Sequence, residues 1–275
     1  MRLSLDPTVI VLLAGLTALY LRAVHILRTR GYRVPAFQQA CWHTGVALQA
    51  IALLGPLDPA ADELLSAHMA QHLLIADVAA PFLLAGIRTP VLVFLLPRPV
   101  LVALARRRRL RAAFRWLRQP LVAIPVFLAV LYTWHFAFAF EGALRHPLVH
   151  VLQHECFVAT GLLVWWSALE PKRRRLRGEL WKIPYIFAAR MGSMFLGMAF
   201  LFMRTPAYGA YYGDLPLKHG ITPLHDQQLA GGMMMVLDIL IMVFALCFFF
   251  WRASEDDVAA ERREGARAAQ ASPVA

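Results

Sequence analysis

Four histidines carry the first chemical signal. His68 and His72 are four residues apart, His150 and His154 are four apart, and both pairs lie inside apolar stretches. Four residues complete one helical turn plus about 40°, so each pair shares one helix face. Neutral imidazoles presented in this way ligate Zn, Cu or Fe, and they also serve as axial ligands of haem. Burying ionisable side chains among apolar helices is expensive, so they turn toward an interior site. Two such pairs at matching depth predict a buried metal or haem site.

The elements that position these residues are membrane helices. The 275-residue chain is 59% hydrophobic and only 16% charged, against about 45–50% and 25% in soluble domains. An all-α fold is expected, a seven-helix transmembrane bundle with spans at 8–27, 37–54, 63–85, 120–140, 147–169, 183–203 and 226–251. Residues 1–251 form one transmembrane domain, and 252–275 a charged cytoplasmic tail that begins as a short helix and frays. An eighth apolar stretch, 90–105, is interrupted by Pro97-Arg98-Pro99 and runs into Arg106–Arg109, so it reads as an interfacial segment. Basic residues follow the first run rather than precede it, which predicts a retained first helix rather than a cleaved signal.

The net charge of +11 does not indicate nucleic acid, because its distribution follows the membrane. The loop after the first span holds Arg28, Arg30 and Arg33, and the loop after the third holds Arg88, Arg98, Arg106–Arg109, Arg111, Arg115 and Arg118. The loop after the fifth holds Lys172, Arg173, Arg174, Arg175, Arg177 and Lys182, whereas the intervening loops hold only Arg145, Arg204 and Lys218. The excess of basic residues on one side predicts the amino terminus outside and the carboxyl terminus in the cytoplasm. Trp42, Trp134, Trp165, Trp166, Trp181 and Trp251 lie near span ends, as interfacial anchors do.

This topology gathers His68, His72, His135, His150, His154 and His225 in the outer half of the bundle. Met69 lies at comparable depth, as do Met198, Met203 and Met233–Met235, and thioether ligation favours Cu(I), whereas all-imidazole ligation admits Cu(II) or Zn. Asp226, Gln71 and Gln228 are candidates to orient the imidazoles, with Asp226 also an auxiliary ligand. The plainer readings are interhelical hydrogen bonding for a single His, core filling for the methionines, an N-cap for Asp226 and a helix start for His146 before Pro147. A second polar set, His43, Asp77, Arg190 and Asp238, lies deeper. Arg190 is expected to pair with Asp77 or Asp238, and a separation beyond about 6 Å from both would reject the pairing. Cys41, Cys156 and Cys247 show no CxxC spacing and read as packing residues. Phosphate loops, dinucleotide fingerprints, nucleophile elbows and CxxCH are absent, and His68-Met69 stands where a zincin has His-Glu.

Three segments resemble the CtaG family of polytopic cytochrome c oxidase assembly factors. They are Ser66-Ala-His-Met-Ala-Gln-His-Leu-Leu with Ala80-Pro81 and Leu84-Ala85-Gly86, then Pro147 through His154 leading to Trp165-Trp166, and Pro223-Leu-His-Asp-Gln-Gln-Leu-Ala-Gly-Gly232. The similarity extends from about residue 37 to 250. It implies a non-enzymatic, multi-pass protein of the bacterial inner membrane that matures a haem–copper oxidase at the copper-delivery or insertion stage. The implied partners are oxidase subunits or other assembly factors, together with membrane lipid. Copper is the expected metal, held or relayed by His68, His72, His150 and His154. Rival functions are a haem-binding electron carrier, a metal or proton transporter using the deeper polar set, and a metal-free scaffold for oxidase subunits.

Overall fold

A computed structural model describes residues 6–170 and 179–271. The expected Lys172, Arg173, Arg174, Arg175 and Arg177 of the third basic loop lie outside the described residues, as does the end of the tail. Among the described residues the chain is all-helical: α1 (Pro7–Thr29), α2 (Ala36–Leu54), α3 (Leu57–Ala61), α4 (Leu65–Leu73), α5 (Ala79–Gly86), α6 (Val91–Phe94), α7 (Arg98–Arg106), α8 (Arg108–Leu117), α9 (Pro120–His135), α10 (Ala137–Arg145), α11 (Pro147–Leu169), α12 (Lys182–Phe202), α13 (Gly209–Tyr212) and α14 (Pro223–Ala271).

Among the described residues, five helical stretches are long and apolar enough to cross a membrane: Pro7–Thr29, Leu65–Gly86, Pro147–Leu169, Lys182–Phe202 and Pro223–Asp256. A sixth arises if α8 and α9, which meet at 84°, count as one bent span. The stretch expected as the second span is the helix α2, which does not join this set, since Gln38, Gln39, His43 and Gln49 lower its apolarity. Two of these are used internally: Gln38 donates to the Gly86 and Arg88 carbonyls at 2.9 Å each, and Gln49 donates to Ile75. Bulky apolar side chains such as Leu121, Leu148, Phe202, Phe244 and Phe250 remain exposed. So large an apolar surface suits lipid contact rather than water.

Two expected elements differ in detail. The stretch 120–140 is two helices, because the chain turns extended at Phe136 (ψ 139°) between α9 and α10. His135 is therefore the last residue of α9. The carbonyl it frees accepts a hydrogen bond from the Tyr208 hydroxyl at 2.8 Å, which stabilises the break. The stretch 90–105 is not one segment: α6 packs Val91 against α1, and Pro97 separates it from α7. Two of the expected interfacial tryptophans are interior residues. Trp165 is buried in the main core, and Trp42 stacks on Tyr20 with centroids 4.7 Å apart. The last helix runs without interruption through residue 252 to Ala271.

The third span holds the feature that matters most for the site. Between α4 and α5 the chain makes a π-helical turn over Leu74–Val78, where the Ala79 N–H reaches back to the Leu74 carbonyl. Such wider turns leave a carbonyl without its usual intrahelical partner. Gln49 of α2 supplies the Ile75 carbonyl with a donor at 2.9 Å. On the opposite side α11 approaches so closely at Gly161 that a Cβ there would collide with the Ala76 carbonyl. Small residues allow this kind of close backbone approach between membrane helices. Gly161→Ala should therefore lower stability by about 1–3 kcal/mol, read as a reduced thermal midpoint of the detergent-solubilised protein. An unchanged midpoint would show that α11 does not rest on the π turn.

Candidate metal centre

The helix carrying His68 and His72 is started by a residue from the far end of the sequence. Leu64 is extended and offers α4 no side-chain cap. Asp226, on the first turn of α14, accepts hydrogen bonds from the Leu65 N–H at 2.6 Å and the Ser66 N–H at 3.1 Å. These are two of the orphan donors every helix start must satisfy. The facing helix, α11, begins with Pro147 in its first turn and His146 as its N-cap residue, so His150 and His154 lie on its first two turns.

These two helix starts bring four imidazoles together. One ring nitrogen from each of His68, His72, His150 and His154 falls within 4.8 Å of the others. His68 Nε2 and His72 Nε2 are 2.9 Å apart. Neighbouring ring centroids are 4.3 Å apart for His68–His72 and His150–His154, 5.0 Å for His72–His154 and 5.1 Å for His68–His150. His68 and His72 are buried and the α11 pair is partly buried. Phe140 of α10 and Phe157 of α11 wall the cluster, lying 4.9 Å from the His68 ring and 4.6 Å from the His72 ring.

The polar atoms here fit a cation. Nδ1 of His72 and Nε2 of both His150 and His154 are buried without a hydrogen-bond partner, and so are both polar atoms of the adjacent Gln153. Buried polar atoms are rarely left without a partner, and each such atom asks for a ligand or water. At His68 a tautomer follows from its neighbour. The Tyr212 hydroxyl donates to the Ala61 carbonyl at 3.0 Å, so the oxygen facing His68 Nδ1 at 3.4 Å can only accept. Nδ1 then carries the proton and Nε2 keeps its lone pair for the cluster. Burial pushes the phenols of Tyr208 and Tyr212 well above their ordinary range, so both stay protonated donors.

The remaining expected residues lie around this set rather than in it. His135 is buried, donates from Nδ1 to the Leu131 carbonyl at 2.7 Å, and sits among the Phe140, Phe157 and Phe200 rings. His225 is exposed. Asp226 spends both oxygens on α4, so it neither caps its own helix nor points a free oxygen at the imidazoles. Met69 is packed in the main core. Gln71 does not orient an imidazole: it donates to the Ala52 carbonyl at 3.1 Å and to Asp58 at 2.9 Å. Gln228 reaches the Leu201 carbonyl at 3.4 Å. Its neighbour Gln227 accepts from the Ala207 N–H at 2.6 Å and so ties down the loop that carries Tyr208 and Tyr212. Sequence reasoning passed over Tyr212, Phe140 and Gln153. The three tyrosines at 208, 211 and 212, just before the His-Asp-Gln-Gln run, were the available signal.

The deeper polar set resolves into a triad. Nη1 of Arg190 hydrogen-bonds Oδ1 of Asp77 and lies 3.3 Å from Oδ1 of Asp238, so it pairs with both carboxylates. His43 is not part of it, being exposed with its ring 5.9 Å from that of Tyr20.

The class is now defined: an all-helical protein with membrane-compatible helices that hold four convergent imidazoles. The sequence profile of the cytochrome c oxidase caa3 assembly factor family (Caa3_CtaG) matches residues 18–256, and the chain belongs to that family. No curated protein and no solved structure gave a match.

The role of Asp226 yields a prediction. Asp226→Ala strips the acceptor from two buried amides, and loss of such a cap costs about 1–2 kcal/mol. Hydrogen exchange at Leu65 and Ser66 should accelerate by roughly 5- to 30-fold. Exchange no faster than in the parent would mean another group caps α4.

Proposed function

We propose that this chain takes part in maturing a haem–copper cytochrome c oxidase by holding copper on His68, His72, His150 and His154 and passing it on by ligand exchange. The observation that carries the reading is the convergence of one nitrogen from each of these four side chains within 4.8 Å. Membership in the caa3 assembly factor family supports the destination, an oxidase under assembly. An all-imidazole set with no carboxylate ligand suits copper or zinc, and oxidase maturation selects copper of the two. Transfer needs no bond chemistry in the protein, so no catalytic residue is invoked.

The reading includes seven spans, with α2 and the α9 region crossing as well as the five long apolar stretches. The internal use of Gln38 and Gln49 lets α2 cross with its polar side turned inward. It also includes an amino terminus outside, a cytoplasmic tail and residence in the bacterial inner membrane, which the exposed arginines of α7 and α8 support. A fluorescent protein fused after Ala275 should therefore mature in the cytoplasm, and fluorescence lost there but recovered by an amino-terminal fusion would reverse the orientation.

Haem fits the cluster less well, since the four rings already touch one another where a macrocycle would have to enter. Metal analysis of the purified protein decides between the readings. Bound copper without a Soret band is expected in the parent, with copper lost when His68, His72, His150 and His154 are all replaced by Ala. Equally low copper in both proteins would remove the metal role and leave a scaffold. A Soret band would replace copper with haem.

A further inference from the structure

The four imidazoles bring no negative charge of their own, and Asp58, the carboxylate whose charge acts on His150, is half-buried and engaged by the Gln71 amide at 2.9 Å, so a copper ion placed there would still carry much of its positive charge into the interior of a membrane protein. Isolated charges in such surroundings are strongly disfavoured. One turn or so deeper, the protein holds two carboxylates against a single guanidinium. Arg190 is 1% exposed, Asp238 0% and Asp77 7%. One cation balances one carboxylate, and the surplus carboxylate must either carry a buried negative charge or hold a proton. Nη1 is the only Arg190 nitrogen that reaches the carboxylates. Asp238 Oδ2 is buried without a partner, as are Nε and Nη2 of Arg190, whose guanidinium lies 4.9 Å over the Phe127 ring. The triad is thus incompletely satisfied on the side of its surplus oxygen.

The two sites are joined by one short piece of helix. Asp77 follows His72 by five residues, about 8 Å along the axis, and stands on the π turn braced by Gln49 and Gly161. His72 faces α11 while Asp77 reaches Arg190 of α12. At that separation in a poorly polarisable interior, charges in the two sites act on each other strongly. The other titratable group facing the triad is Tyr185 of α12, whose hydroxyl is committed to the Val164 carbonyl at 3.0 Å. From α9 the Phe127 ring lies against the Arg190 guanidinium.

We infer that the Asp77–Arg190–Asp238 triad is the counter-charge of the histidine site: it holds one proton when that site is empty and gives the proton up to solvent when a monovalent cation binds there. The balance is one Cu(I) in and one proton out, with no change in total charge. The triad then favours a singly charged ion, because a doubly charged one would leave a net positive charge uncompensated. This deepens the copper reading above and rests on it.

Anaerobic calorimetry with Cu(I) near neutral pH, run in two buffers of different ionisation enthalpy, counts the protons. The parent should release about one proton per copper, and its Kd should fall by up to tenfold per pH unit while the triad is still protonated. Asp238→Asn keeps the shape and leaves Asp77 to balance Arg190. It should bind copper roughly tenfold more weakly, release almost no proton and lose the pH slope. Asp77→Asn is the second variant, expected to behave alike. Copper binding without proton release in the parent, or the same release in the variants, overturns the inference and spares the copper site. Absence of any Cu(I) isotherm in the parent overturns both. Should neither variant fold, the proton count and pH slope of the parent decide alone.

Discussion

Two backbone amides at the start of α4 have their acceptor on a helix more than 150 residues away in sequence. In lipid a bare helix start cannot borrow water, so its N–H groups must be satisfied by the protein itself. Asp226 does this for the helix that carries His68 and His72, and by doing so fixes the first turn of α4 against the head of α14. Gln227, the next residue, anchors the loop bearing Tyr208 and Tyr212. Those tyrosines in turn close the end of α9 and set the tautomer of His68. A single polar tripeptide at the head of α14 therefore arranges most of what surrounds the imidazoles, without touching the four itself.

A second constraint comes from charge. The protein buries a guanidinium and two carboxylates where apolar residues would pack at less cost. The arrangement survives because three helices meet there and share the pairing. The same span carries the π turn between the two sites. The extra width is tolerated because Gln49 on one side and the bare backbone of Gly161 on the other fit its loosened carbonyls.

Much of this was legible in the sequence, and the reasons differ from residue to residue. The two HxxxH pairs could be read because a four-residue spacing reports a helix face directly, and burial in apolar stretches then implies an interior site. The Arg190 pairing could be read because a lone buried cation is too costly to stand. The helix breaks were hidden, since each depends on a partner remote in sequence: Tyr208 ends α9 and Gln49 supports the π turn. Asp226 had the look of a cap for its own helix or a metal auxiliary, and only the fold reveals that it serves another helix. Trp42 and Trp165 sit near span ends as anchors do, yet neighbouring helices cover them. Span number was least legible, because a helix such as α2 that turns glutamines inward is less apolar than one surrounded by lipid.

The last helix is 49 residues long. At about 1.5 Å per residue it measures roughly 73 Å, more than twice the thickness of a bilayer's hydrocarbon layer. Its first turn is pinned at the level of α4, and by Arg252 the helix has come within 3.8 Å of Glu179, just before α12. The charged portion therefore continues as one rod from a level where the helix is already tied to the residues just before α12.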